Sequence, residues 1–197
     1  MIRAKRVILL LGAYLLAGTS LLAQNFFVAP EKPFEVLAQS QLTTTEGNLL
    51  TIETTSRHPV RETDISLQLT DKSGQVIWNK ILGGDGWDYG YGLSSTQDGG
   101  FILIGATSSF GAGNNDLFLL KTDAQGNVQW QQTYGGFYNE YGYAVKEVAG
   151  GGFLLQGKQQ YCKEHNDWGN CYDTRWQLRV DAAGELMWER SLGKLTE

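Results

Sequence analysis

Asp123-Ala-Gln-Gly126-Asn-Val-Gln-Trp130 is the middle of three versions of one line. Asp71-Lys-Ser-Gly74-Gln-Val-Ile-Trp78 precedes it, and Asp181-Ala-Ala-Gly184-Glu-Leu-Met-Trp188 follows. Trp78 and Trp130 stand 52 residues apart, Trp130 and Trp188 58 apart. A period in this range marks one supersecondary unit stacked on copies of itself, because no copy can bury its apolar face alone.

At an offset of 52, Glu46-Gly47-Asn48-Leu49 falls on Asp98-Gly99-Gly100-Phe101, Asp64 on Asp116 and Trp78 on Trp130. The third unit keeps that offset as far as Gly157, then carries six extra residues around its cysteines. An insertion at one point of a repeat is expected to lie in a loop. The middle unit divides into four strand-like runs, about 89–96, 101–108, 116–122 and 128–134, separated by turn signals. In Gln97-Asp98-Gly99-Gly100 the glycines supply positive φ for a tight hairpin, and in Asp123-Ala-Gln-Gly126 the Asp can bond the turn backbone. Four antiparallel runs per period predict a β-propeller blade. The expected fold is all-β, with three four-stranded antiparallel blades at about 36–83, 84–135 and 136–193 and a tail at 194–197, as a partial propeller or a fragment.

The chain opens Met1-Ile-Arg3-Ala-Lys5-Arg6, runs apolar from Val7 to Ala17, and continues Gly18-Thr-Ser20-Leu-Leu-Ala23. This reads as a secretory signal peptide over 1–23, leaving an extension at 24–35. The apolar stretch is shorter than the ~20 residues a spanning helix needs, so no membrane span is expected after cleavage. The expected location is secreted or cell-surface, with the periplasm as the alternative. Loss of Arg3, Lys5 and Arg6 would take the formal charge from −5 to −8. An acidic chain without a basic cluster excludes nucleic acid as the expected partner.

Cys162 and Cys171 are the two cysteines. In an exported chain their even number and short separation favour a disulfide. The competing reading is a metal site through His165 and Asp167, but C-x2-H-x-D-x3-C matches no usual zinc spacing. No metal or cofactor is expected.

Trp78, Trp130 and Trp188 recur in the outermost run of each unit and are expected to pack between neighbouring units. Asp71, Asp123 and Asp181 read as turn residues. Asp64 and Asp116 open the third run and are expected to bond loop backbone; Thr174 replaces them in the third unit, which speaks against a ligand common to every unit.

The loops after the first two of these tryptophans read Gly83-Gly-Asp85-Gly-Trp87-Asp88-Tyr89-Gly-Tyr91 and Gly135-Gly-Phe137-Tyr138-Asn139-Glu140-Tyr141-Gly-Tyr143. In a propeller this link lies on the face where ligands usually bind. Tyr89, Tyr91, Tyr141 and Tyr143 recur and are expected to begin the inner strand. The candidate ligand residues are Asp85, Trp87, Asp88, Tyr138, Asn139 and Glu140, where aromatic platforms beside carboxylates and amides could hold a glycan or a surface protein. No nucleophile–base pair stands out, and His58 and His165 are the only histidines. The expected function is a non-catalytic binding or structural module. The alternative is an enzyme acting on extracellular polysaccharide, or its carbohydrate-binding accessory, with Asp85, Asp88 and Glu140 as carboxylates.

The pattern K-x-D-x-x-G-x-x-x-W-x-x-x-x-G-G, present from Lys121 to Gly136, with Asp98-Gly-Gly-Phe-Ile-Leu-Ile-Gly105, resembles the bacterial β-propeller repeats of secreted and cell-surface proteins. The D-x-x-G-x-x-x-W element is similar to the tryptophan-docking motif of quinoprotein propellers, with one residue fewer before Gly. The resemblance implies an exported, non-catalytic repeat module. Closed propellers have four to eight blades. Three units with apolar end faces are therefore expected to self-associate and complete a ring.

Overall fold

The computed structural model describes residues 40–57, 62–163 and 170–195. The expected signal peptide and extension, along with His58, His165 and Asp167, lie outside the described residues. Twelve strands follow one another: β1 (Gln41–Thr43), β2 (Leu49–Arg57), β3 (Glu62–Thr70), β4 (Val76–Leu82), β5 (Asp88–Ser95), β6 (Phe101–Thr107), β7 (Asp116–Thr122), β8 (Val128–Tyr134), β9 (Glu140–Glu147), β10 (Phe153–Cys162), β11 (Cys171–Val180) and β12 (Leu186–Lys194). They form three four-stranded antiparallel sheets, each a simple meander of consecutive strands. The fold is all-β, with three propeller-like blades. Among the described residues no helix is long and apolar enough to cross a membrane.

The middle blade shows why the blades stack. Every residue of β6 and β7 is buried. Side chains on a strand alternate between its faces. Phe101, Leu103, Phe118 and Leu120 accordingly join Leu50, Ile52, Ile65 and Leu67 of the first blade. Ile102, Ile104, Leu117 and Leu119 join Phe153, Leu155, Trp176 and Leu178 of the third. Each such side chain contributes about 1.5–3 kcal/mol on full burial. A strand apolar on both faces therefore marks a blade covered on both sides.

The end blades break that pattern, and their outer faces mix polar with apolar side chains. Where the middle blade has Leu103, Phe118 and Leu120, the first blade carries Thr51, Ser66 and Gln68, all partly exposed. Where the middle blade has Ile104, Leu117 and Leu119, the third carries Gln156, Arg175 and Gln177. Gln177 is buried and accepts two hydrogen bonds from Arg190, at 2.8 and 2.6 Å. Apolar side chains stand among these polar ones: Ile81, largely exposed, pairs with Ser66 on the first face, and Trp188 pairs with Arg179 on the other.

The recurring line does what its spacing implies. Asp71, Asp123 and Asp181 each accept two backbone N–H bonds, from positions two and four residues on, at 2.8–2.9 Å. Trp78 packs against Phe101 and Trp130 against Phe153, with ring centroids 6.4 and 5.9 Å apart, joining each blade to the next. Trp188 lies under the Arg190 guanidinium, 5.5 Å from its ring centre. Lys121, almost fully buried, ties the Asp98 hairpin to its blade: its ammonium bonds both Asp98 oxygens, the Thr122 carbonyl and Gln129 Oε1.

The six extra residues of the third unit are not a loop insertion, which corrects the sequence expectation. β6 and β7 are seven residues long, β10 and β11 ten. The additions form three further rungs, Gln160↔Asp173, Tyr161↔Tyr172 and Cys162↔Cys171. Lengthening a hairpin pairs the added backbone groups, which a longer loop would leave to water. The last rung is closed by the Cys162–Cys171 disulfide.

Candidate functional site

The two inter-blade linkers carry the candidate residues, and each is stitched to both blades it joins. Trp87 pairs with Thr63 of the first blade, while Ser108 N–H donates to the Trp87 carbonyl at 2.9 Å. In the second linker Asn139 pairs with Asn115, and Gln160 N–H donates to its carbonyl at 2.9 Å.

Asp88 and Glu140 do not face a ligand. Asp88 is fully buried; Oδ1 accepts the Thr107 hydroxyl at 2.5 Å, and Oδ2 accepts the Ser109 hydroxyl at 2.6 Å and Gly84 N–H at 2.8 Å. Glu140, at the equivalent position, is 1 % exposed and accepts Gly136 N–H at 2.9 Å. Both pin the glycine pair that opens their linker. The close approach requires glycine: a Cβ on Gly83 would stand 2.6 Å from Asp88 Oδ2 and 2.7 Å from Asp64 Oδ1. On Gly135 it would stand 2.5 Å from Asp116 Oδ1 and closer still to Glu140 Oε2. Each linker thus begins on a glycine held between two buried carboxyl groups, Asp64 of β3 and Asp88 of β5 at the first and Asp116 of β7 and Glu140 of β9 at the second.

The two pins differ in their electrostatics. The hydroxyl donors around Asp88, Thr107 and Ser109, become Gln159 and Tyr161 at the shared offset. The Glu140 carboxyl is pushed up to about 7, chiefly by burial, with the Gly136 N–H opposing and the charges of Asp116 and Glu189 adding to the rise. Burial also raises Asp116, against the Ala112 and Gly113 N–H bonds that lower it.

Asp85, Trp87, Tyr138 and Asn139 sit above these pins. Asp85 is exposed and Trp87 is 48 % exposed. Phe137 is 50 % exposed and meets Tyr138 edge-on at 5.3 Å. Asn139 is engaged in an amide chain: Asn115 Nδ2 donates to its Oδ1 at 2.9 Å, and its own Nδ2 donates to Gln160 Oε1 at 3.0 Å. The structure thus divides the six candidates into two buried pins, one amide relay, Asp85 and Trp87 on the first linker and Tyr138 on the second.

The tyrosines do begin the first strand of their blades, β5 and β9, and they form an aromatic row. Trp87, Tyr89, Tyr91 and Tyr143 follow one another with centroids 6.5, 6.1 and 5.7 Å apart, the last step crossing between blades. Beside the row, Lys158 sits 4.8 Å over the Tyr141 ring and bonds Asp173 at 2.7 Å. The alternation of aromatics at 87, 89 and 91 was the signal available in the sequence.

Among the described residues no group of three or more His, Cys, Asp or Glu side chains is arranged to hold a metal. Models of known protein families give no match to this chain. Comparison with curated protein sequences likewise finds no matching relative.

Proposed function

We propose that this chain is an exported, non-catalytic binding module whose linkers present aromatic side chains on a rigid blade scaffold. One observation carries the reading: Trp87 is half exposed, yet its backbone is held on both sides and the next residue, Asp88, is locked by three hydrogen bonds. An ordered exposed aromatic binds with less entropy loss than one on a free loop. The disulfide suits an oxidising compartment. A neutral oligosaccharide suits the site, because the Trp87 and Tyr138 rings offer stacking faces while Asp85 supplies acceptors.

Two of the three carboxylates that polysaccharide hydrolysis would use, Asp88 and Glu140, are buried beneath the linkers, which favours binding over turnover. The test is titration with a panel of oligosaccharides, read by tryptophan emission. A saturable change lost in Trp87→Ala supports the reading. Sugar release abolished by one carboxylate substitution would replace it with the enzymatic alternative.

A further inference from the structure

β5 and β9 pack against the preceding blade through glycine and leave their tyrosines outside that packing. Gly90 and Gly142 approach so closely that a Cβ would stand 2.4 Å from Ile52 and from Ile104 respectively. Gly92 is held as tightly, with the Tyr143 carbonyl oxygen 2.6 Å from such a Cβ. Further along the same strands, Leu93 and Val145 enter the two cores. Tyr89, Tyr91 and Tyr143 belong to neither core, and each stays partly exposed. Contiguous rings that the core does not take up, held at a surface, mark a face for recognition.

These rings continue from Trp87. The half-exposed indole is followed by Tyr89 at 6.5 Å, Tyr91 at a further 6.1 Å and Tyr143 at a further 5.7 Å, on the third blade. The planes of Tyr89 and Tyr91 lie within 2° of parallel. Trp87 is turned 42° from Tyr89, and Tyr143 is turned 53° from Tyr91. The rings therefore form a strip that twists at both ends rather than a closed cup. At its far end the charge is compensated, because the Lys158 ammonium bonds Asp173 at 2.7 Å.

A strip of rings carrying phenolic hydroxyls suits a flat, neutral ligand with apolar faces and polar edges. An extended chain of β-1,4-linked pyranoses has that form: C–H groups cover the faces of each sugar ring, and hydroxyls line its rim. We propose that a linear, neutral β-1,4-linked oligosaccharide lies along the row from Trp87 to Tyr143. The proposal rests on the reading of Trp87 as a glycan-binding residue and extends it from one ring to a track.

The test is calorimetric titration of the full chain with cellobiose, cellohexaose and maltohexaose, the last of which is coiled by its α-linkages. Cellohexaose is expected to bind about tenfold more tightly than either of the others, as further rings engage. Both comparisons are read on the parent chain, so neither depends on a variant folding. Tyr91→Leu and Tyr143→Leu should each weaken cellohexaose several-fold, while Tyr91→Phe, which keeps the ring, should stay close to the parent. Equal affinity for cellobiose and cellohexaose, or for cellohexaose and maltohexaose, would overturn the track. So would leucine variants that melt like the parent and bind cellohexaose as tightly. If Trp87→Ala alone then abolishes binding, the reading of Trp87 stands without the track. If none of the three sugars binds, the track falls and the wider oligosaccharide panel decides the reading of Trp87.

Discussion

The indole of Trp130 lies across Gly184, as that of Trp78 lies across Gly126: a Cβ on either glycine would fall 2.9–3.0 Å from the ring. Each tryptophan thus seats on the left-handed glycine of the next blade's last turn, where φ is +75° at Gly126 and +85° at Gly184. Gly74 has the same conformation, φ +84°, but no described atom within 4 Å. The three glycines therefore separate backbone strain from seam packing. Gly74→Ala should cost about 1 kcal/mol, the penalty of a left-handed alanine. Gly126→Ala and Gly184→Ala should each cost about 2–3 kcal/mol, because the indole must also move. Urea unfolding of the three variants measures the difference, and equal losses would remove the seam contribution.

Asp88 and Asp85 stand three residues apart and should behave oppositely. Asp88→Ala leaves the Thr107 and Ser109 hydroxyls and Gly84 N–H without their acceptor, at an expected cost of about 2–4 kcal/mol. Asp85→Ala, at an exposed position, should change stability by no more than about 0.5 kcal/mol. Any effect of Asp85→Ala on ligand affinity is then attributable to the surface itself. Thermal melts beside binding titrations check both.

Glu140 sets a pH dependence of defined sign. Its folded carboxyl titrates at about 7, against roughly 4.3 in an unfolded chain. Between these values the folded protein holds the extra proton, so stability falls as pH rises from about 4.5 through 7 and then levels. The loss across that window is on the order of 3–4 kcal/mol at most. Glu140→Gln mimics the protonated form and should flatten that limb while raising the melting temperature at pH 8. At the acid end Asp98, held at about 2 chiefly by its bonds to Thr96 and Lys121, contributes stability that is lost as pH falls from about 4 through 2. A melting-temperature profile from pH 2 to 9 for parent and Glu140→Gln tests both limbs; superposable profiles above pH 4.5 would contradict the assignment.

The Cys162–Cys171 bond closes a hairpin already held by a ten-rung ladder. Replacing both cysteines with alanine should cost about 2–3 kcal/mol, the range for a short closed loop. The oxidised chain should show an intact mass two hydrogens below the reduced one and no thiol titre.

What the sequence disclosed and what it hid follow from the range of each interaction. The turn Asp residues, the Trp seats and the four strands per unit are local or recur at a fixed period, so pattern alone carried them. The burial of Asp88 and Glu140 was not legible, because an acidic residue in a Gly-rich loop normally faces water. The available signal was recurrence: both positions are acidic at the 52-residue offset, the property that marked Tyr89 and Tyr141 as structural. The longer hairpin was misplaced because six added residues can extend a loop or split evenly between two strands. Only the Tyr161–Tyr172 and Cys162–Cys171 pairs distinguish the cases.

The end faces carry the last prediction. A seam between blades buries an apolar layer from each side, worth about 1.5–3 kcal/mol per fully buried side chain. On the outer faces of the first and third blades that layer is interrupted by Thr51, Ser66 and Gln68 on one side and by Gln156, Arg175 and Gln177 on the other. Bringing these together would desolvate polar groups at about 1–3 kcal/mol for each left unpaired, which offsets the contact that Leu49 and Ile81 on one face and Leu154 and Trp188 on the other could make. Light scattering at micromolar concentration should therefore give a monomer, and a doubled mass would show that a second copy covers these faces despite their polarity. Restoring the middle-blade residues, as Thr51→Leu, Ser66→Phe and Gln68→Leu with Gln156→Ile, Arg175→Leu and Gln177→Leu, should convert the monomer to an assembly. A variant that stays monomeric and folded would show that something other than face polarity keeps the blades apart.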